Sequence, residues 1–104
     1  MGKTTEVKHE HGITVGTHAT GWYYSDSMPF EVIKVSPSGK TITIRRMHAT
    51  NAEGYDYFSN QVYDYSSNED GATYTVRYTK NGWKTPCNMS VRFGYARKYE
   101  DPHF

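Results

Sequence analysis

Leucine is missing from all 104 residues, and cysteine occurs once, as Cys87. A chain without leucine, a strong helix former large enough to fill a helical core, is a poor helical bundle. A single cysteine forbids an intramolecular disulfide, which fits a reducing compartment. No apolar run approaches the roughly 20 residues that a membrane-spanning helix needs. The N-terminus has no charged-then-apolar leader pattern, so a soluble protein acting inside a cell is the expectation. Charge is also missing selectively. From Met47 to Val76 there is no lysine or arginine, and from Arg77 to Lys98 no aspartate or glutamate. The net charge of +1 is therefore a cancellation between an acidic middle and a basic stretch after it.

What is present favours pleated structure. Ten tyrosines stand among many threonines, valines and glycines, residue types that suit half-buried strands and tight turns. Tyrosine can close a thin core with its ring while its hydroxyl reaches water. The length is that of one domain. Residues 1–12 are polar and aperiodic and are expected to form a flexible N-terminal arm; residues 13–104 are expected to form a single β domain.

The strand pattern is regular. Ala19 to Tyr24 can hold a first strand, and Ser25-Asp26-Ser27 a turn. Phe30 to Val35 follows, with an apolar phase slip between Val32 and Ile33 that predicts a bulge. Ser36-Pro37-Ser38-Gly39-Lys40 is a hairpin turn leading into Thr41–Met47, where Ile42 and Ile44 share one face and Thr41, Thr43 and Arg45 the other. Thr73–Thr79 alternates, with Tyr74, Val76 and Tyr78 inward. Lys80-Asn81-Gly82 turns the chain, Trp83–Thr85 is a short strand, and Ser90–Tyr95 places Val91, Phe93 and Tyr95 on one face. Tyr55-Asp56-Tyr57 recurs as Tyr63-Asp64-Tyr65. Paired across Ser59-Asn60, the two copies would make a protruding ribbon, acidic on one face and aromatic on the other. The fold class expected is all-β: a small antiparallel barrel or sandwich of six to seven short strands.

Candidate sites follow from charge and rings. Tyr55, Asp56, Tyr57, Tyr63, Asp64 and Tyr65 would form a contact surface for a basic protein, since tyrosine gives rigid, amphipathic area at low entropy cost. Arg45, Arg77 and Arg92, each on the non-core face of a predicted strand, would form a basic stripe for phosphates, with Trp83 nearby to stack bases. A solvated sheet face accounts for those arginines equally well.

Other motifs carry less. His9-Glu10-His11 lacks the further ligands of a closed metal site, so no metal and no cofactor is expected. His18-Ala19-Thr20 and His48-Ala49-Thr50 resemble the paired His-x-Thr motifs of two-histidine phosphoesterases. That reading would need both imidazoles on one phosphate. Ser38-Gly39-Lys40-Thr41 resembles the end of a phosphate loop, but Lys34 stands where the earlier glycine belongs and a strand follows.

A wider resemblance rests on several motifs. They are Ala19-Thr20, Tyr24-Ser25-Asp26, Pro29-Phe30, Val32 with Val35, Ser38-Gly39-Lys40 before Ile42, and Tyr99-x-Asp101-x-x-Phe104. In these the chain resembles small phage and prophage proteins of Gram-positive gut bacteria. The resemblance implies an accessory protein in the cytoplasm of an infected bacterium. Such proteins disable host defences by blocking a partner such as a CRISPR effector nuclease, or by sequestering nucleotide second messengers such as cyclic nucleotides; a nucleic-acid-binding module without a protein target is the alternative expectation. A non-enzymatic, anti-CRISPR-like inhibitor is the expectation. A homo-oligomer, as in a virion part, stays open.

Overall fold

The computed structural model describes residues 11–100 and Pro102. There are eight strands: β1 His18–Tyr23, β2 Asp26–Val35, β3 Thr41–Arg46, β4 His48–Asn51, β5 Tyr63–Ser66, β6 Thr73–Thr79, β7 Gly82–Lys84 and β8 Ser90–Phe93. The protein is all-β, with no helix among the described residues. Six strands close an antiparallel barrel in the order β1-β2-β3-β6-β7-β8. Closure leaves no long open edge to pair with another chain. β4 and β5 form a separate two-stranded ribbon inserted between β3 and β6. The expected barrel is therefore present, with the ribbon added to it.

The alternation read from the sequence becomes the barrel interior. Ile13, Ala19, Phe30, Val32, Ile42, Ile44, Val76, Met89 and Val91 are buried together, flanked by Met28, Val35, Tyr74, Trp83 and Phe93. Gly21 is needed for this packing, because a Cβ there would lie 2.8 Å from both Phe30 Cε2 and Met89 Sδ. The phase slip in β2 is a bulge: the β2–β3 register shifts between Val32 and Lys34, leaving Ile33 unpaired. Gly39 closes the following turn with a positive φ of 76°, its N–H donating to the Ser36 carbonyl at 2.8 Å.

Thr20, Ser27 and Pro29 are buried although they alternate with the interior residues of β1 and β2. The chain after β8 covers Thr20 and Ser27, and the Pro29 carbonyl is bonded by the Met47 N–H. The Thr20 hydroxyl donates to the Tyr95 carbonyl at 2.7 Å. Tyr99 and Ser27 exchange backbone hydrogen bonds at 2.8 and 3.0 Å. The C-terminal segment thus runs back along the outside of β1 and β2 toward the ribbon.

Three expectations are corrected. The Tyr55-Asp56-Tyr57 copy is not a strand opposite Tyr63-Asp64-Tyr65. β5 pairs instead with β4, placing Asn51 opposite Tyr63, Thr50 opposite Asp64 and Ala49 opposite Tyr65. The first copy belongs to a compact loop held by its own hydrogen bonds. Tyr78 has interior parity but is 69% exposed, because it lies past the last core layer at the barrel's rim. Tyr95 falls beyond β8 and is likewise exposed. Of the expected N-terminal arm, residues 1–10 lie outside the described residues. His11, however, is seated, its Nε2 bonding the Gly39 carbonyl at 3.0 Å and its ring lying 5.6 Å from that of Trp83.

Candidate functional site

The up-and-down path sorts the loops to two ends. One end carries the β1–β2 turn, the inserted ribbon and the β7–β8 loop. The other carries the β2–β3 and β6–β7 turns together with His11.

The ribbon has two unlike faces, as alternation along β5 requires. Tyr63 and Tyr65 are half-buried, whereas Asp64 and Ser66 are exposed. The tyrosine face is taken up within the molecule. The Tyr65 hydroxyl accepts the Lys98 N–H at 2.7 Å, and the Lys98 ammonium lies 5.0 Å from the centre of the Tyr63 ring. Tyr55 and Tyr63 meet edge-on, 5.3 Å between centroids. Burial, and then the Tyr55 hydroxyl, push the Tyr63 phenol well above its ordinary pKa, so it stays protonated as a donor. Gln61 completes this clamp. Its amide donates to the Glu100 carbonyl at 2.6 Å and its carbonyl accepts the Glu100 N–H at 2.9 Å. Gln61→Ala removes both bonds and is expected to lower local stability by about 1–2 kcal/mol. Faster amide hydrogen exchange at Glu100, with core amides unchanged, would show it.

The loop beyond the ribbon is ordered by its own side chains. The Asp56 carboxylate accepts the Phe58 N–H at 2.9 Å, and Asp56 and Asn60 exchange backbone bonds at 2.8 Å. The Asn60 amide holds the Gly54 carbonyl at 3.0 Å, and Gln61 holds that of Tyr57 at 2.8 Å. This scaffold presents Phe58 at 69% and Tyr57 at 37% exposure. Glu53, Asp56 and Asp64 of the insertion are also exposed, and the insertion holds no lysine or arginine. Of the six predicted contact residues, Tyr57, Asp56 and Asp64 therefore face outward. Tyr55, Tyr63 and Tyr65 support them from within. Phe58 and Gln61 were not singled out by the sequence. Phe58 was one ring among many, and nothing local marks Gln61 as reaching Glu100.

The basic stripe is rearranged. Arg45 lies opposite Thr73 while Arg77 lies opposite Thr41, at far ends of the β3–β6 ladder. Arg45 is also paired, its guanidinium 3.2 Å from Glu31, with both side chains largely covered. It does not join the other arginines. The cation beside Arg77 is Lys84, its cross-strand partner on β7, and Lys84 donates to Ser90 at 2.7 Å. Arg92 sits two residues along β8 and is exposed. Counting outward from the β6–β7 turn would have placed Lys84 there. Trp83 has the opposite parity. It packs toward the interior against Phe93, 5.3 Å between ring centroids, and is not on the stripe's face.

The two histidine motifs do not converge. His18 pairs with Glu31 on β2. The Met47 N–H bonds the Pro29 carbonyl at 3.0 Å, so His48 leaves β3 opposite Met28, three residues along and one strand further. The two histidine backbones are thus separated by about 10 Å along the strands and a similar distance across them. Ser38-Gly39-Lys40 is a hairpin turn into β3, with no helix to cradle a phosphate. Of the His9-Glu10-His11 candidate, only His11 is described. Among the described residues no group of three potential ligands gathers, and no helix is long and apolar enough to cross a membrane.

Cys87 is exposed on the β7–β8 loop. The Thr85 hydroxyl accepts the Met89 N–H at 3.0 Å, leaving its own proton for the Cys87 sulfur at 3.1 Å. That bond lowers the thiol's pKa, more than offsetting the opposing effect of burial. Iodoacetamide should therefore alkylate Cys87 at pH 7.5 several-fold faster than it alkylates glutathione. Thr85→Val should remove most of the difference.

No family model, curated protein or solved structure matches the chain.

Proposed function

We propose that this protein is a non-enzymatic binding module whose inserted ribbon engages a protein partner. The partner, following the phage resemblance, is a bacterial defence protein such as a CRISPR effector nuclease. The observation that carries this reading is the ordered loop of residues 52–62, which exposes Phe58 and Tyr57 amid carboxylates and takes no part in closing the barrel. Exposed aromatics cost hydration free energy, and an ordered loop forfeits little entropy on binding. The lack of any lysine or arginine from Met47 to Val76 selects a basic partner surface. Nucleic-acid-handling proteins carry such surfaces.

The test is direct. The purified protein is mixed with a panel of CRISPR effector nucleases, loaded and unloaded with guide RNA. Complex formation is followed by size exclusion, and DNA cleavage is assayed in parallel. A stoichiometric complex that blocks cleavage, and that weakens as salt rises, supports the reading. No complex with any effector at about 10 μM would remove the CRISPR assignment. The same titration against other defence proteins would then decide whether the ribbon binds protein at all.

A further inference from the structure

The barrel is closed, but its ladder between β7 and β8 is short. These strands pair at Trp83–Val91 and Lys84–Ser90 and nowhere else. The ladder therefore stops short of Gly82 and Arg92, and a cleft of about 520 Å³ opens at this seam. Its lining includes Trp83, Phe93 and His11 as rings, and Asn81, Ser90 and Arg92 as polar groups. The size falls within the range for small-ligand sites, and a few polar groups among rings is their usual chemistry. On the other side of β7 a second groove of about 530 Å³ is lined by Arg77, Lys84, Thr75, Thr79 and Thr85.

Charge identifies what these two hollows, one on each side of β7, would take. Arg77 and Lys84 are directly opposed cations, an arrangement that destabilises a sheet unless an anion lies between them. Arg77, Lys84 and Arg92 make no ion pair among the described residues, whereas Arg45 does. The ladder neighbours of Arg77 and Arg92 are Thr41, Lys84 and Thr20, none of them acidic. A ring-lined cleft beside a row of uncompensated cations and hydroxyls is complementary to a flat base joined to phosphate.

We infer that the β7–β8 seam is a nucleotide site, with the base entering the seam between Arg92 on the outer face and the interior-facing Trp83 and Phe93, and the phosphate held on the outer face by Lys84 and Arg77. The nucleotide unit comes either free, linear or cyclic, or within a single strand. This site lies away from the ribbon, on the β6–β7–β8 side, so it stands or falls separately from the protein contact.

The experiment titrates the full chain with AMP, ATP and cyclic di-AMP by calorimetry. In parallel it uses fluorescein-labelled ten-nucleotide DNA and RNA by anisotropy. Micromolar binding of the free nucleotides alone assigns a soluble ligand; binding of the oligonucleotides assigns a strand. With three cations engaged, oligonucleotide affinity should fall about 20-fold between 50 and 200 mM salt. Arg92→Gln, at an exposed position, should weaken either ligand at least tenfold. Trp83→Phe, which keeps a ring on the core, should weaken base binding several-fold, with a lowered thermal midpoint but a folded domain. Absence of binding by every probe at 1 mM would overturn the proposal. So would binding that Arg77→Gln/Lys84→Gln abolishes but Arg92→Gln and Trp83→Phe leave intact, since that is charge attraction without a base site.

Discussion

Phe30→Ala should lower the stability of the domain by about 3–5 kcal/mol, enough to leave it marginal or unfolded at 37 °C. Phe30 is fully buried and meets the Tyr74 ring edge-on, 5.6 Å between centroids. The space it fills is bounded by Gly21, which has no side chain to collapse inward. The other large core side chains are the branched Ile13, Val32, Ile42, Ile44, Val76 and Val91, which are stiff, so that only Met89 has the freedom to fill part of the void. Urea unfolding would report the loss as a midpoint shift of about 1 M or more with an unchanged slope. The complementary change, Gly21→Ala, forces a methyl against the same ring and should cost about 1–3 kcal/mol. Combined, the two should cost less than their sum, because the added methyl occupies part of the vacated space. A loss below about 1 kcal/mol for Phe30→Ala would show that the core is not organised around this ring.

The second large effect is on binding. Tyr57→Ser together with Phe58→Ser should weaken the protein partner at least about 100-fold, the loss expected for two aromatic hot spots. Stability should change by no more than about 0.5 kcal/mol, because both rings lie on an exposed loop. Asp56 separates charge from organisation. Its carboxylate holds the Phe58 N–H at 2.9 Å, a bond that an asparagine side-chain oxygen can also accept. Asp56→Asn should therefore keep most of the affinity and Asp56→Ala should lose it. Equal losses in both would assign Asp56 a direct ionic contact instead. Tyr63→Ala is expected to act differently, removing the ring on which Tyr55 and the Lys98 ammonium pack and lowering stability as well as binding.

The barrel was legible because its strands carry alternation that only one register satisfies, and because Pro37-Ser38-Gly39 and Asn81-Gly82 mark turns with little ambiguity. The bulge at Ile33 could be read for the same reason, since a two-residue period cannot slip without an extra residue. The ribbon was half legible. Its acidic and aromatic faces follow from Tyr63-Asp64-Tyr65, but its partner strand does not. His48–Asn51 has no apolar alternation, and the repeated tripeptide offered a more conspicuous and incorrect match. The stripe failed on long-range pairing: Glu31 is 14 residues from Arg45 in sequence, and only the β2–β3 register brings the two together. The path of the C-terminal segment over Thr20 and Ser27 left no trace in local pattern, because backbone groups make most of its contacts.

The most direct test excises the ribbon's loop. Asn51 and Tyr63 are cross-strand partners, so a two-residue Asn-Gly turn replacing residues 52–62 closes the hairpin in register. The variant and the parent chain are titrated side by side against the effector nuclease that forms the complex in the panel, with circular dichroism to confirm the barrel. The account predicts a folded variant with no measurable binding. A folded variant that binds as tightly as the parent would place the partner's contact elsewhere on the barrel and contradict it.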